Sequence, residues 1–65
     1  MTEIQEFAGL AAPARRALAA AGFRSLANLA TVREAEVASL HGMGPRALKM
    51  LRTKLAERGL SFLGD

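Results

Sequence analysis

The stretch Leu40–Leu48, LHGMGPRAL, decides the reading of this chain. Two glycines flank one methionine; Pro45, Arg46 and helix-favouring residues follow. Glycine lacks a Cβ and so tolerates the backbone that a tight turn needs. Proline suits the first position of a helix, where its missing N–H is no loss. Leu40 therefore reads as the end of one helix and Met43 as an apolar plug into the core. Gly42 and Gly44 are both expected to hold conformations that a Cβ would hinder. Pro45 should start a helix that reaches Arg58, with Gly59 as its left-handed stop.

The rest of the chain is punctuated in the same way. Pro13 opens an earlier helix and Gly22 closes it. Ser25 can cap a short helix through Leu26 and Ala30. TVRE at Thr31–Glu34 has the spacing of a capping box, in which the Thr31 hydroxyl and the Glu34 carboxylate each accept from the other's backbone N–H. It predicts a helix from Val32 to about Leu40. Before Leu10, Ile4 and Phe7 are at helical spacing and suggest one loose turn. Two echoes support the parse. LAAAGFRSL (Leu18–Leu26) parallels LAERGLSFL (Leu55–Leu63), each a helix end, a glycine and an apolar residue folding back. At an offset of 30, Leu10 matches Leu40 and the RAL at Arg16 matches the RAL at Arg46, as in two related helix–turn–helix units.

The 65 residues allow one domain, 1–65, with a loose turn over 1–9 and a core over 10–63. Alanine supplies 14 residues and leucine 10, whereas β-branched apolar residues are limited to Ile4, Val32 and Val37. That mix makes helices and leaves little for a sheet. The fold class expected is all-α: a compact bundle of four to five short helices. Its core should hold Leu10, Leu18, Leu26, Leu29, Val37, Leu40, Leu48, Leu51, Leu55 and Leu60, capped by Phe7 and Phe23. On the last helix Ala47, Leu48, Leu51 and Leu55 form the inward stripe. Arg46, Lys49, Thr53 and, unusually, Met50 fall on the outer side.

No cysteine is present, which excludes disulfides and thiolate metal sites. His41 is the one histidine and has no partners at ligand or dyad spacing. Glu34 and Glu36 do not face each other usefully on a helix. No catalytic residues, metal or cofactor are therefore expected, and the chain reads as a non-enzyme. MTEIQEF is acidic and lacks the cationic and apolar segments of a secretory signal. No apolar run approaches membrane-spanning length. A cytoplasmic monomer is the expectation.

The net charge is +3, unevenly spread: Arg46, Lys49, Arg52, Lys54 and Arg58 face a single acid, Glu57, over the last helix. A basic half suits an anionic partner, nucleic acid first. The order apolar, any, Gly, apolar, Gly, helix start at Leu40–Pro45 matches the helix-hairpin-helix motif. Bare glycine amides and the N-terminus of the next helix can hold a phosphate oxygen there. Arg46 and Lys49 add charge beside it, and Arg15 and Arg16 supply more from the first helix. Candidate nucleic-acid contacts are thus Arg15, Arg16, Gly42, Gly44, Arg46 and Lys49. The contact would be to the backbone of double-stranded DNA, with weak sequence specificity and strong salt dependence.

LHGMGPRALKMLRTKLAERGLSF, with AGFRSLANLA and TVREAEVASL before it, resembles the C-terminal domain of the bacterial RNA polymerase alpha subunit over Leu10–Phe62. The resemblance implies a SAM-like helical fold that binds the DNA minor groove and docks transcription activators. It implies a DNA surface built from the start of the first helix, around Arg16, and from Gly44 and Arg46. The chain departs from the family pattern at Pro13, Ala47 and Met50. It carries no polymerase-assembly domain, and Met1 favours a stand-alone relative over an excised domain. The rival expectation keeps the fold but docks a partner protein, RNA polymerase or a transcription factor. That reading calls for an exposed patch of Met50, Phe62 and Leu63, whereas the leading expectation is a partly buried Met50 with Phe62 and Leu63 covering the core.

Overall fold

A computed structural model of the chain describes residues 7–64. Four helices occur there and no strand: α1 (Ala12–Ala20), α2 (Leu26–Leu29), α3 (Glu34–Ala38) and α4 (Pro45–Glu57). Ile4 and the N-terminal part of the expected first turn lie outside the described residues. The radius of gyration, 10.5 Å, is that of a close-packed single domain of this length, about 11 Å. No described helix is long and apolar enough to cross a membrane.

Glycine ends two of the helices by one mechanism. At the end of α1 the Phe23 amide donates to Leu18 O at 2.9 Å and the Gly22 amide to Ala19 O at 3.0 Å. At the end of α4 the Leu60 amide donates to Leu55 O at 2.8 Å and the Gly59 amide to Ala56 O at 3.0 Å. Both are Schellman closures, and both need the left-handed backbone that Gly22 (φ 90°) and Gly59 (φ 72°) adopt. Phe23 and Leu60 fold back against the core. The LAAAGF and LAERGL echo is thus one structural device used twice.

A side-chain cap with a return contact lies one helix earlier than TVRE suggested. Ser25 Oγ accepts from the Asn28 amide at 3.2 Å, and Asn28 Oδ1 accepts from the Arg24 amide at 2.9 Å. Thr31 does not cap α3: its hydroxyl donates to Asn28 O at 2.6 Å, closing the end of α2. That nearby carbonyl outcompetes a helix start. Consequently α3 begins late, at Glu34, with Arg33 in the N-cap position and no side-chain cap. It spans Glu34–Ala38 instead of Val32–Leu40. Ser25→Ala is expected to cost about 1 kcal/mol, lowering the thermal midpoint by about 4–8 °C. A circular-dichroism melt checks this; an unchanged midpoint would show that the cap does not stabilise α2.

The core is entirely apolar. Phe7, Leu10, Ala14, Leu18, Leu26, Leu29, Val37, Ala47, Leu51, Leu55 and Phe62 form one buried cluster, with no buried polar or charged residue among the described residues. α4 is its central element, packing on α2 and α3. Three expected core leucines, Leu40, Leu48 and Leu60, are only half-buried at its edge. Phe62 fills the space instead and is 1% exposed. It reaches the core because Gly59 turns the chain back, and the Leu63 amide then pins it to Val32 O at 2.8 Å. Met50, on the outer side of the helical wheel, is half-buried against Gly9, the partial burial expected of it.

The segments leading into α1 and α4 share a backbone course. Leu10 N donates to Phe7 O at 3.3 Å, and Met43 N to Leu40 O at 3.0 Å. Gly9 (φ 94°) and Gly42 (φ 96°) each precede an apolar plug, Leu10 or Met43. Extended N-caps follow at Ala11 and Gly44. Buried pairs then match along the helices, Ala14 with Ala47 and Leu18 with Leu51. The offset of these equivalences is 33 (42 − 9), not the 30 suggested by the RAL echo. Backbone course repeats here where side-chain identity does not.

Candidate nucleic-acid interface

The two glycines of the opening stretch have different physical roles. Gly42 sits at φ 96°, and a Cβ built on it would lie 2.9 Å from Pro13 O. Both the conformation and the contact require glycine. Gly44 is extended (φ −118°, ψ 175°), and a Cβ there would meet nothing within 4 Å. This corrects the expectation that both conformations exclude a side chain. Gly44 is the N-cap of α4, a position that tolerates glycine well but also accepts side chains. Gly42→Ala is therefore expected to destabilise the fold by about 1–3 kcal/mol. Thermal melts of Gly42→Ala beside Gly44→Ala check it, and equal midpoints would overturn the assignment.

Gly42's contact with Pro13 brings the α3–α4 turn against the start of α1. An open groove of about 410 Å³ lies at this junction. Gly9, Ala11, Pro13 and Ala14 line one side, and Gly42, Gly44, Arg46 and Ala47 the other, with Met50 between. No side chain caps α1 or α4. Two helix N-termini, each with the positive end of its dipole, thus share one groove, although Pro13 and Pro45 carry no N–H and the Ala14 amide already donates to Ala11 O at 3.0 Å.

The charged candidates fall into distinct positions. Arg46 lines the groove. Arg46, Lys49 and Arg16 are all exposed. None of these three is in an ion pair among the described residues. Arg16 lies about 60° around α1 from Pro13 and lines neither this groove nor the one described next. Ala17 and Ala20, nearer the Pro13 line of α1, border a second groove with Leu40 and His41. Arg15 lies about 160° from Pro13, on the far flank. It is half-buried and has an interaction of its own. The structure therefore joins Gly42, Gly44 and Arg46, places Lys49 and Arg16 on adjoining surface, and sets Arg15 apart.

Sequence reasoning missed two features of this surface. Gly9 and Ala11 complete the groove through the second turn, and no motif in FAGLA announces it. Arg52 is the other: its Nε donates to Glu34 Oε2 at 3.0 Å, and its Nη2 lies 2.8 Å from the same oxygen. Exposed pairs of this kind contribute about 0.2–1 kcal/mol. Among the described residues no group of His, Asp or Glu side chains could hold a metal ion. Met50, Phe62 and Leu63 form no common exposed patch, since Phe62 is buried and Met50 half-buried, leaving only Leu63 substantially exposed. No protein-family model, curated protein or solved structure matches this chain at a significant level.

Proposed function

We propose that the chain is a non-enzymatic DNA-binding module whose α3–α4 turn acts as a helix-hairpin-helix. The observation that carries this reading is the groove where two uncapped helix N-termini meet beside Arg46. A phosphate seated there gains backbone amides from the first turn of α4, the positive ends of two helix dipoles, and a guanidinium. Glycine at position 44 has no internal steric cause, so its bare backbone leaves room for a close approach from outside. Arg16 and Lys49 extend positive charge to either side.

These contacts are all to the sugar–phosphate backbone, so affinity should depend on salt far more than on sequence. The resemblance to the polymerase alpha C-terminal domain makes the minor groove the expected face and transcription the expected setting. A long axis of 29 Å limits the footprint to about 8–9 base pairs at 3.4 Å per pair, so a duplex of about 12 suffices for the test. In an NMR titration at low and near-physiological salt, amide shifts should centre on Gly42, Gly44 and Arg46 and fall steeply as salt rises. Shifts centred elsewhere, or none at low salt, would sink the proposal.

A further inference from the structure

The outer face of α4 carries three exposed basic residues at intervals of three: Arg46, Lys49 and Arg52. Each step advances about 4.5 Å along the axis and about 60° around it. The three therefore form a shallow spiral leading away from the Gly42–Gly44 turn. A polyanion landing on this face has no steric reason to stop at the turn, because α4 continues past it with Lys49 and Arg52 exposed, while Lys54 lies half-buried on another side of the helix.

The spiral is interrupted electrostatically. Arg46 and Lys49 are in no ion pair among the described residues, whereas Arg52 is held by Glu34 across the α3–α4 contact. Arg52 is 56% exposed and Glu34 28%. A pair this open does little to hold two helices together. Its larger effect is on where free positive charge is found. Arg33, the neighbour of Glu34, is directed elsewhere, its Nη1 lying 3.1 Å from a Cβ built on Gly64. Glu34 is thus the acid that engages Arg52, while Glu57, on α4 itself, lies beyond it toward the end of the helix.

We propose that Glu34 sets the far boundary of the nucleic-acid footprint on α4. By engaging Arg52 it ends the phosphate-attracting charge along the Arg46–Lys49–Arg52 side at Lys49 and confines a strand bound on that side to the turn. Glu34 is a positioning residue, acting through Arg52 without touching the ligand. The inference rests on the DNA-binding reading above and specifies how that surface is limited.

The test compares the wild type with Glu34→Gln, Arg52→Gln and the double variant on the same duplex, by salt-dependent affinity and NMR footprint. Glu34→Gln releases one cation, so its log–log salt slope should steepen by about 0.9 and its shifts should extend to Arg52 and Ala56. Arg52→Gln should leave the slope unchanged, because that side chain makes no phosphate contact in the wild type. The double variant should return to the wild-type slope. A Glu34→Gln slope and footprint identical to wild type would overturn the boundary, as would a loss of about 0.9 in Arg52→Gln. A lowered thermal midpoint for Glu34→Gln with an unchanged slope would assign the pair to stability instead. If neither wild type nor Glu34→Gln binds, the DNA reading falls and the boundary with it. Wild-type binding centred on Gly44 with an indifferent Glu34→Gln removes the boundary alone.

Discussion

Gly44→Glu is expected to keep its helices and lose DNA. A Cβ at position 44 meets no protein atom within 4 Å, and the backbone there is extended, so the position admits a side chain. Glutamate caps less well than glycine, at a cost of up to about 1 kcal/mol. Its carboxylate beside the N-terminus of α4 returns about 0.3–1 kcal/mol. Binding has no such compensation. A carboxylate about 4 Å from a phosphate near a protein surface is repelled by on the order of 4 kcal/mol. Allowing for salt screening, affinity should fall at least about a hundredfold, or about 3 kcal/mol. Fluorescence anisotropy with a labelled duplex measures the loss, and circular dichroism reports the helices. Retained affinity would exclude the turn as the phosphate site.

Phe62→Ala should have the largest effect on stability. Phe62 is 1% exposed, follows the last helix, and closes one side of a cluster that contains no polar group. Removing a buried phenylalanine side chain costs about 3–5 kcal/mol. A domain of 65 residues buries a smaller share of its surface than a larger one and has little to spare. The thermal midpoint should drop by at least about 15 °C, with loss of a cooperative transition at the severe end. Leu63→Ala, one residue on and exposed at 51%, is the matched control and should change little. A drop under about 5 °C for Phe62→Ala would show that the C-terminal segment only covers the core.

What could be read from the sequence was what short-range physics decides. Pro13 and Pro45 mark helix starts, Gly22 and Gly59 mark helix ends, and Ser25 caps α2, because each acts within a few residues of itself. TVRE failed as a capping box because both of its members found other partners. Thr31 turned back to Asn28, and Glu34 reached across 18 residues to Arg52. Neither competitor is visible in a four-residue window. Gly42 and Gly44 look equivalent in GMG, yet only tertiary contact with Pro13 separates the one the fold requires from the one it merely admits. The contribution of Gly9 and Ala11 to the groove was hidden for a related reason. FAGLA and LHGMG share a backbone course and one glycine, but no further residue.

The contact between Gly42 and Pro13 also bears on modularity. It joins two positions 29 residues apart, so the shape of the α3–α4 turn is a property of the whole bundle. α3 has five residues and α2 four, far below the roughly 12–15 at which a helix persists alone in water. A synthetic peptide from Glu34 to Glu57 would carry every residue of the turn and none of the wall that Pro13 provides. Grafting this recognition element onto another scaffold therefore means transplanting α1 with it.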